Sequence, residues 1–312
     1  MNIAILDLGT NTFHLLIAEV NSDSKWNKII KERVTVKLGQ GMENNTISRA
    51  AFTRGIEALN AFRKTVDTNN IHHIYGFGTA ALRNAVNGEE FLNEARLKSG
   101  FDIKLISGEE EAELIYYGVR QAMQLGIEKS LIMDIGGGSV EFIIANNSEI
   151  FWKASFQLGA AFMLTKFNPS DPLTSDDVLS IISHFDSTLQ PLFNAYDFHQ
   201  PKALIGSAGS FETFSSMLRH RYTDTGIHYG KTSHPISIEK FTWLYHELIL
   251  STQDERNEMK GLVKMRIDMI VMAALLLNFV IQKINPPEMK LSAYALKEGA
   301  LWKVISDIKQ QS

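Results

Sequence analysis

The chain has 312 residues and a mass of 35.0 kDa, 45% of them hydrophobic and 21% charged, enough to bury a large core and by length more than one. A formal net charge of -4 and a pI near 6.2 exclude a chain-wide bias toward polyanions, so any anion site must be a local patch. With no cysteine the chain has no disulfides, thiolate metal sites or cysteine nucleophiles, which fits a reducing compartment and makes the cytoplasm the expected location.

The N-terminus runs directly into the apolar segment Ile3 to Leu6, closed by Asp7, with no basic region ahead of it, unlike a signal peptide. A polar turn follows, and Phe13 to Val20 forms a second strand, so the first element is a β-hairpin. Helices are predicted near Ser48 to Asp67 and Gly88 to Lys98, with strands at His73 to Gly78 and Ile103 to Ile106 and a further helix after Ser107, an alternating α/β pattern. A new hairpin starts at Ser130. Helices follow near Ser175 to Tyr196, Gly209 to Leu218, Ile238 to Ser251 and Arg266 to Ile284, and a strand at Lys202 to Ile205 leads into a glycine turn. Pro286 and Pro287 close the long helix, Leu291 to Ser292 reads as a short strand, and a last helix runs from Tyr294 to about Lys309. The most apolar stretch, Met269 to Ile281, is interrupted by Asn278 and falls short of the roughly 20 residues of a bilayer span, so no membrane is expected. Its apolar surface suits a core helix and leaves a homodimer contact open.

The two hairpins are a repeat. Ile5 to Ala18 reads ILDLGTNTFHLLIA and Ile132 to Ala145 reads IMDIGGGSVEFIIA, so Asp7 returns as Asp134 after 127 residues. A period this long indicates two similar domains rather than a solenoid. Each tip combines an Asp with glycine and hydroxyl or amide groups: Gly9, Thr10 and Asn11 in the first, Gly136, Gly137, Gly138 and Ser139 in the second. Glycines let backbone N–H groups approach a phosphate, and the polar side chains add hydrogen bonds. Asp7 and Asp134 are not anion ligands. Carboxylates beside a phosphate point to an intervening divalent cation, Mg²⁺ above all.

The segment ISGEEEAELIYYGV, Ile106 to Val119, places Glu109, Glu110, Glu111 and Glu113 at a helix start, with Ser107 as N-cap. Alone, such a run is an ordinary solvated cap. Placed just before the second hairpin, it also offers a carboxylate to activate a water at phosphorus. The Arg219, His220, Arg221 cluster with Lys231 reads as a solvated face and gives no reason to expect DNA. No histidine pair has helical metal-site spacing, and no Walker A sequence occurs.

Taken together, DLGTNTFHLL at Asp7, GTAALRNAVNGEEFL at Gly78, ISGEEEAELIYYGV, DIGGGSVEF at Asp134, FQLGAAF at Phe156, GSAGSFETF at Gly206, RIDMI at Arg266 and LSAYALKEGAL at Leu291 resemble the exopolyphosphatase and guanosine pentaphosphate phosphohydrolase (Ppx/GppA) family. The resemblance implies two RNase H-like domains of the actin-like superfamily with an active-site cleft between them, domain I spanning 1–120 plus 295–312 and domain II 121–294. It implies Glu111 as general base, Asp7, Asp134 and Glu141 as acidic positions for Mg²⁺ or water, and Arg83 as a reach toward substrate phosphate. Gly206 to Ser210 matches a turn that faces a nucleoside in ATP-binding relatives, which gives Gly206 and Gly209 a place beside the phosphates. Longer family members carry extra C-terminal domains that this sequence lacks, an expectation of a short-form enzyme favouring short chains. His14, Val140, Phe162 and Lys297 stand where arginine, threonine, arginine and arginine are usual, removing forked or hydroxyl contacts. The expected substrate is inorganic polyphosphate, with guanosine pentaphosphate as the near alternative. A sugar or carboxylate kinase and a filament-forming protein of the same fold are the other classes.

Overall fold

The computed structural model describes residues 1–23, 25–222 and 231–311. They form two compact units, Met1–Gly118 together with the segment from Leu296 onward, and Val119–Ala295.

In the first unit β1 (Asn2–Leu8) and β2 (Thr12–Val20) make the expected hairpin, and β3 (Trp26–Thr35) extends it. The chain then passes through α1 (Arg49–Thr68), β4 (His73–Gly78), α2 (Ala80–Asn84), α3 (Gly88–Ser99), β5 (Ile103–Leu105) and α4 (Gly108–Ala122). The sheet has the order β3-β2-β1-β4-β5, with β1, β4 and β5 parallel and β2 antiparallel to both its neighbours. Helix α1 forms because Ser48 accepts from the Ala51 N–H at its start and because Ile56, Leu59, Phe62 and Val66 recur at helical spacing on the buried face. Strand β3 escapes a reading by pattern because it lies at the sheet edge: only alternate residues such as Ile30 and Val34 are partly covered, and charged residues lie between them.

The second unit opens with β6 (Ser130–Ile135), β7 (Val140–Ala145) and β8 (Ile150–Phe156), followed by α5 (Ala160–Phe167), α6 (Ser175–Thr188), α7 (Gln190–His199), β9 (Ala203–Ser207) and α8 (Ala208–Tyr222). After β10 (Ser233–Ile236) come α9 (Ile238–Leu250), α10 (Gln253–Glu258), a 3₁₀ turn at Lys264–Arg266, α11 (Ile270–Ile284) and β11 (Met289–Ser292). Helix α12 (Leu296–Gln311) belongs to the first unit. The second sheet has the order β10-β11-β9-β6-β7-β8. Without β10, strand for strand and direction for direction, it repeats β5-β4-β1-β2-β3. The 127-residue sequence period is therefore a duplicated fold, an α/β unit with the RNase H-like strand order.

Two expectations change. The helix read over Ser175 to Tyr196 is two helices, because Pro191 falls in the first turn of α7 and a proline ring there ends the preceding turn of α6. The long helix starts at Ile270, after the 3₁₀ turn, and runs unbroken through Asn278. Its apolar surface is spent inside the second unit, where Leu275, Leu276, Leu277 and Val280 pack in one core with Phe142, Phe185 and Phe211. No helix among the described residues is long and apolar enough to cross a membrane.

Helix α12 meets α4 through small residues. A Cβ on Gly299 would lie 1.7 Å from the Leu114 carbonyl oxygen and 2.7 Å from the Gly118 nitrogen. Tyr117 and Trp302 stack beside the crossing, their ring centroids 4.4 Å apart. This contact fixes α4, the helix of the acidic run, within its unit.

Candidate active site

The two hairpin tips are built alike. Gly9 N–H donates to the Thr12 carbonyl at 3.2 Å, and Gly136 N–H to the Ser139 carbonyl at 3.0 Å. A Cβ on either glycine would come within 3.0 or 2.9 Å of that same carbonyl oxygen, so the tight turn needs glycine in both copies.

The segment after the third strand then grips each tip from behind. In the second unit the carbonyl of Gly136 accepts from Ala160 N–H, that of Gly137 from Ala161 and Phe162, and that of Gly138 from Gly159. A trans peptide is planar, with C=O and the following N–H on opposite sides. The N–H groups of Gly137, Gly138 and Ser139 therefore all turn away from that segment, side by side. The first unit does the same on a smaller scale: Thr10 carbonyl accepts from Leu38, and Asn11 carbonyl from Val36 and Lys37, which turns out the N–H groups of Asn11 and Thr12. Successive outward N–H groups form a concavity of positive partial charge, the geometry that takes phosphate oxygens. The next parallel strand ties in beside each tip, with the Thr79 hydroxyl donating to Leu8 carbonyl at 3.2 Å and the Ser210 hydroxyl to Ile135 carbonyl at 3.1 Å.

The acidic run divides by helical phase. Glu109 and Glu110 are exposed, while Glu111 is buried. Glu110 completes a capping box, its carboxylate accepting from Ser107 N–H at 2.8 Å while the Ser107 hydroxyl accepts from Glu110 N–H at 3.1 Å. The Ser107 N–H, with Lys104 at 2.9 Å, holds the Glu110 carboxyl below its ordinary range. Glu113 accepts from the Tyr117 hydroxyl. Glu111 alone points inward, where its Oε2 accepts from Arg83 Nη1 at 3.0 Å. The same Arg83 nitrogen donates to the Ile106 carbonyl at 2.8 Å. Arg83, at the end of the short helix α2, is thus no surface ion pair but the anchor of the one buried glutamate of the run.

Asp134 and Glu141 are also brought together. They are direct partners across the β6–β7 hairpin, so both side chains leave one face of the sheet, and both are buried. The Ser207 hydroxyl donates to Asp134 Oδ2 at 2.7 Å, and the Ser155 hydroxyl to Glu141 Oε1 at 2.6 Å. Sequence reading names neither serine: Ser207 lies inside the Gly206 to Ser210 turn, where the glycines carry the signal, and Ser155 carries no local signal. The matching pair in the first unit is Asp7 opposite His14. Among the described residues no group of three or more His, Asp or Glu side chains could hold a metal. Two adjacent carboxylates do suit a hard cation such as Mg²⁺, which commonly takes one or two protein carboxylates and completes its shell with water and phosphate.

Gly206 and Gly209 have packing reasons of their own. A Cβ on Gly206 would strike the Phe211 ring at 1.9 Å, and one on Gly209 would strike the Arg266 guanidinium at 1.6 Å. Of the unusual positions, Val140 is wholly buried. Phe162 contributes its N–H to the Gly137 carbonyl while its ring packs on the second unit's core. Lys297 lies 3.3 Å from Glu298 Oε2, whose other oxygen is 3.7 Å from Lys31.

The model of the Ppx/GppA phosphatase family matches residues 16–307. Among curated relatives, a guanosine-5'-triphosphate,3'-diphosphate pyrophosphatase of Vibrio atlanticus is 28% identical over 99% of this chain and 60% of its own length. The chain thus spans about 60% of the length of the curated relatives it first matches. Among solved structures, an exopolyphosphatase from Cytophaga hutchinsonii is 35% identical with a TM-score of 0.95, covering 98% of both chains. A Ppx/GppA family member from Aquifex aeolicus, 19% identical with a TM-score of 0.78 over 100% of this chain and 99% of that one, shares the fold.

Proposed function

The chain belongs to the Ppx/GppA phosphatase family, and from this we propose that it is a hydrolase of phosphoanhydride bonds that releases terminal orthophosphate from inorganic polyphosphate. The observation that carries the reading is the duplicated hairpin tip, in which the carbonyls of Gly136, Gly137 and Gly138 in one copy and of Thr10 and Asn11 in the other are held from behind, so that the following N–H groups turn outward as an anion cradle. The likeness in sequence and length to a solved exopolyphosphatase supports the choice of substrate.

Under this reading the N–H groups of Gly137, Gly138 and Ser139 in the second unit hold non-bridging phosphate oxygens, and those of Asn11 and Thr12 form a smaller cradle of the same kind in the first. Arg83 steadies Glu111 through its Nη1 and offers its guanidinium fork to phosphate. Glu111 accepts the proton of the attacking water as the new P–O bond forms and the shortened polyphosphate leaves. Asp134 and Glu141 are the residues that would hold Mg²⁺. A divalent cation held there would supply positive charge to phosphate oxygens. Gly206 and Gly209, though set by packing, line the same turn as Ser207 and Ser210.

The test is orthophosphate release from polyphosphates of several lengths, guanosine pentaphosphate and ATP, each with and without Mg²⁺. Mg²⁺-dependent release from polyphosphate is the expected result. Release from guanosine pentaphosphate but not polyphosphate would transfer the assignment to the activity named for the Vibrio relative. Release from none of them would end the reading.

A further inference from the structure

One rung of the second sheet crosses four strands. At a single level Ser207 on β9 stands opposite Asp134 on β6, Asp134 opposite Glu141 on β7, and Glu141 opposite Ser155 on β8. Directly opposed residues share a face, so the rung presents hydroxyl, carboxylate, carboxylate and hydroxyl in a row. Each hydroxyl is spent on the carboxylate beside it, at 2.7 and 2.6 Å, the short range of a hydroxyl donating to a charged oxygen.

The duplication supplies an internal control. The equivalent rung of the first sheet reads Phe77 on β4, Asp7 on β1, His14 on β2 and Arg33 on β3. The frame therefore requires no hydroxyl at either outer position, since phenylalanine and arginine occupy them in the other copy. Hydroxyls flank the rung only where the middle holds two carboxylates. Two like charges directly opposed on a sheet repel, and that arrangement becomes favourable when a divalent cation is shared between them. Ser207 is wholly buried, so no water can take over its hydrogen bond.

We infer that Ser155 and Ser207 are positioning residues that turn Asp134 and Glu141 into the orientation that binds a divalent cation. The inference rests on the Mg²⁺ reading above. It is separable from that reading by measuring metal binding directly, without turnover.

The probe is Mn²⁺ alone, followed through the loss of its free-ion EPR signal on titration with protein. Partners that orient metal-binding carboxylates typically carry about 10- to 100-fold in affinity, so Ser155→Ala and Ser207→Ala should each weaken Mn²⁺ binding by that factor. Ser155→Thr, which keeps the hydroxyl at a half-buried site, should restore it. Metal-free melting temperatures should fall by less than about 10 °C, leaving the variants folded at the temperature of the titration, so that the Mn²⁺ loss reads orientation and not unfolding. Mn²⁺ affinities of both alanine variants within about threefold of the parent would overturn the inference while leaving the cation site in place. A Thr variant no better than Ala would overturn it equally. A parent chain that binds no Mn²⁺ would remove the cation reading itself. Should Ser207→Ala fail to fold, the Ser155 pair alone decides.

Discussion

Glu111→Gln separates chemistry from architecture. Glu111 is 7% exposed and its Oε2 takes the Arg83 hydrogen bond at 3.0 Å, a geometry that the glutamine amide oxygen reproduces. What is lost is the charge assistance. Bonds to charged groups contribute about 1.5–3 kcal/mol against about 0.5–1.5 for neutral ones, so the substitution should cost about 1 kcal/mol, or a melting temperature lower by about 3 °C. The amide cannot take a proton from water. Loss of a general base typically costs about 10²- to 10⁴-fold, equivalent to about 3–5 kcal/mol of barrier. The assay is steady-state orthophosphate release from polyphosphate with Mg²⁺, paired with a thermal melt. The expected outcome is a collapse of kcat with KM nearly unchanged and the fold intact. Turnover within about threefold of the parent would refute the assignment. A melting temperature lower by tens of degrees would instead make the Arg83 pair a structural buttress.

Gly159→Ala should damage the proposed phosphate cradle specifically. Its φ of -59° suits any residue, so the effect is steric: the new Cβ would lie 2.4 Å from backbone atoms of Gly137 and Gly138, which cannot rotate aside. Displacing that loop should raise KM for polyphosphate by about tenfold or more, with a stability loss of about 1–3 kcal/mol read from urea unfolding. Glu110 governs acid stability rather than turnover. The Ser107 N–H, followed by Lys104, lowers its carboxyl from the ordinary 4.5. A folded value below the unfolded one adds stability above the unfolded value, and that stability disappears as pH falls through the folded value. Glu110→Gln should therefore lower the melting temperature at neutral pH but converge with the parent as pH falls through the folded value, with kcat unaltered; a constant difference across an acid titration would contradict the capping-box role.

Both hairpins were legible because their signals are local: an apolar run, an Asp and a glycine turn, repeated with Asp7 and Asp134 in register. The alternation of strands and amphipathic helices likewise fixed the α/β class, and Ser107 announced the start of α4. Edge strands β3 and β8 were harder to see, since neither has a fully buried face and a half-covered strand shows only faint alternation. The break between α6 and α7 was available in Pro191, whose effect a purely apolar periodicity overlooks.

Within the site the division is sharper. The four glutamates of Ile106 to Val119 are chemically equivalent on paper, and their separate fates follow from helical phase against a particular neighbour: Glu110 caps, Glu113 meets Tyr117, and only Glu111 turns inward to Arg83. The partners of Asp134 and Glu141 lie 73 and 14 residues away in sequence and become adjacent only when β9 and β8 align on the hairpin. Sequence by itself determined the duplicated frame, because hairpin turns and strand periodicity are encoded in neighbouring residues. Tertiary structure alone decided which carboxylates are buried, which are paired and which hydroxyls donate to them, because burial and strand register depend on residues far apart in the chain.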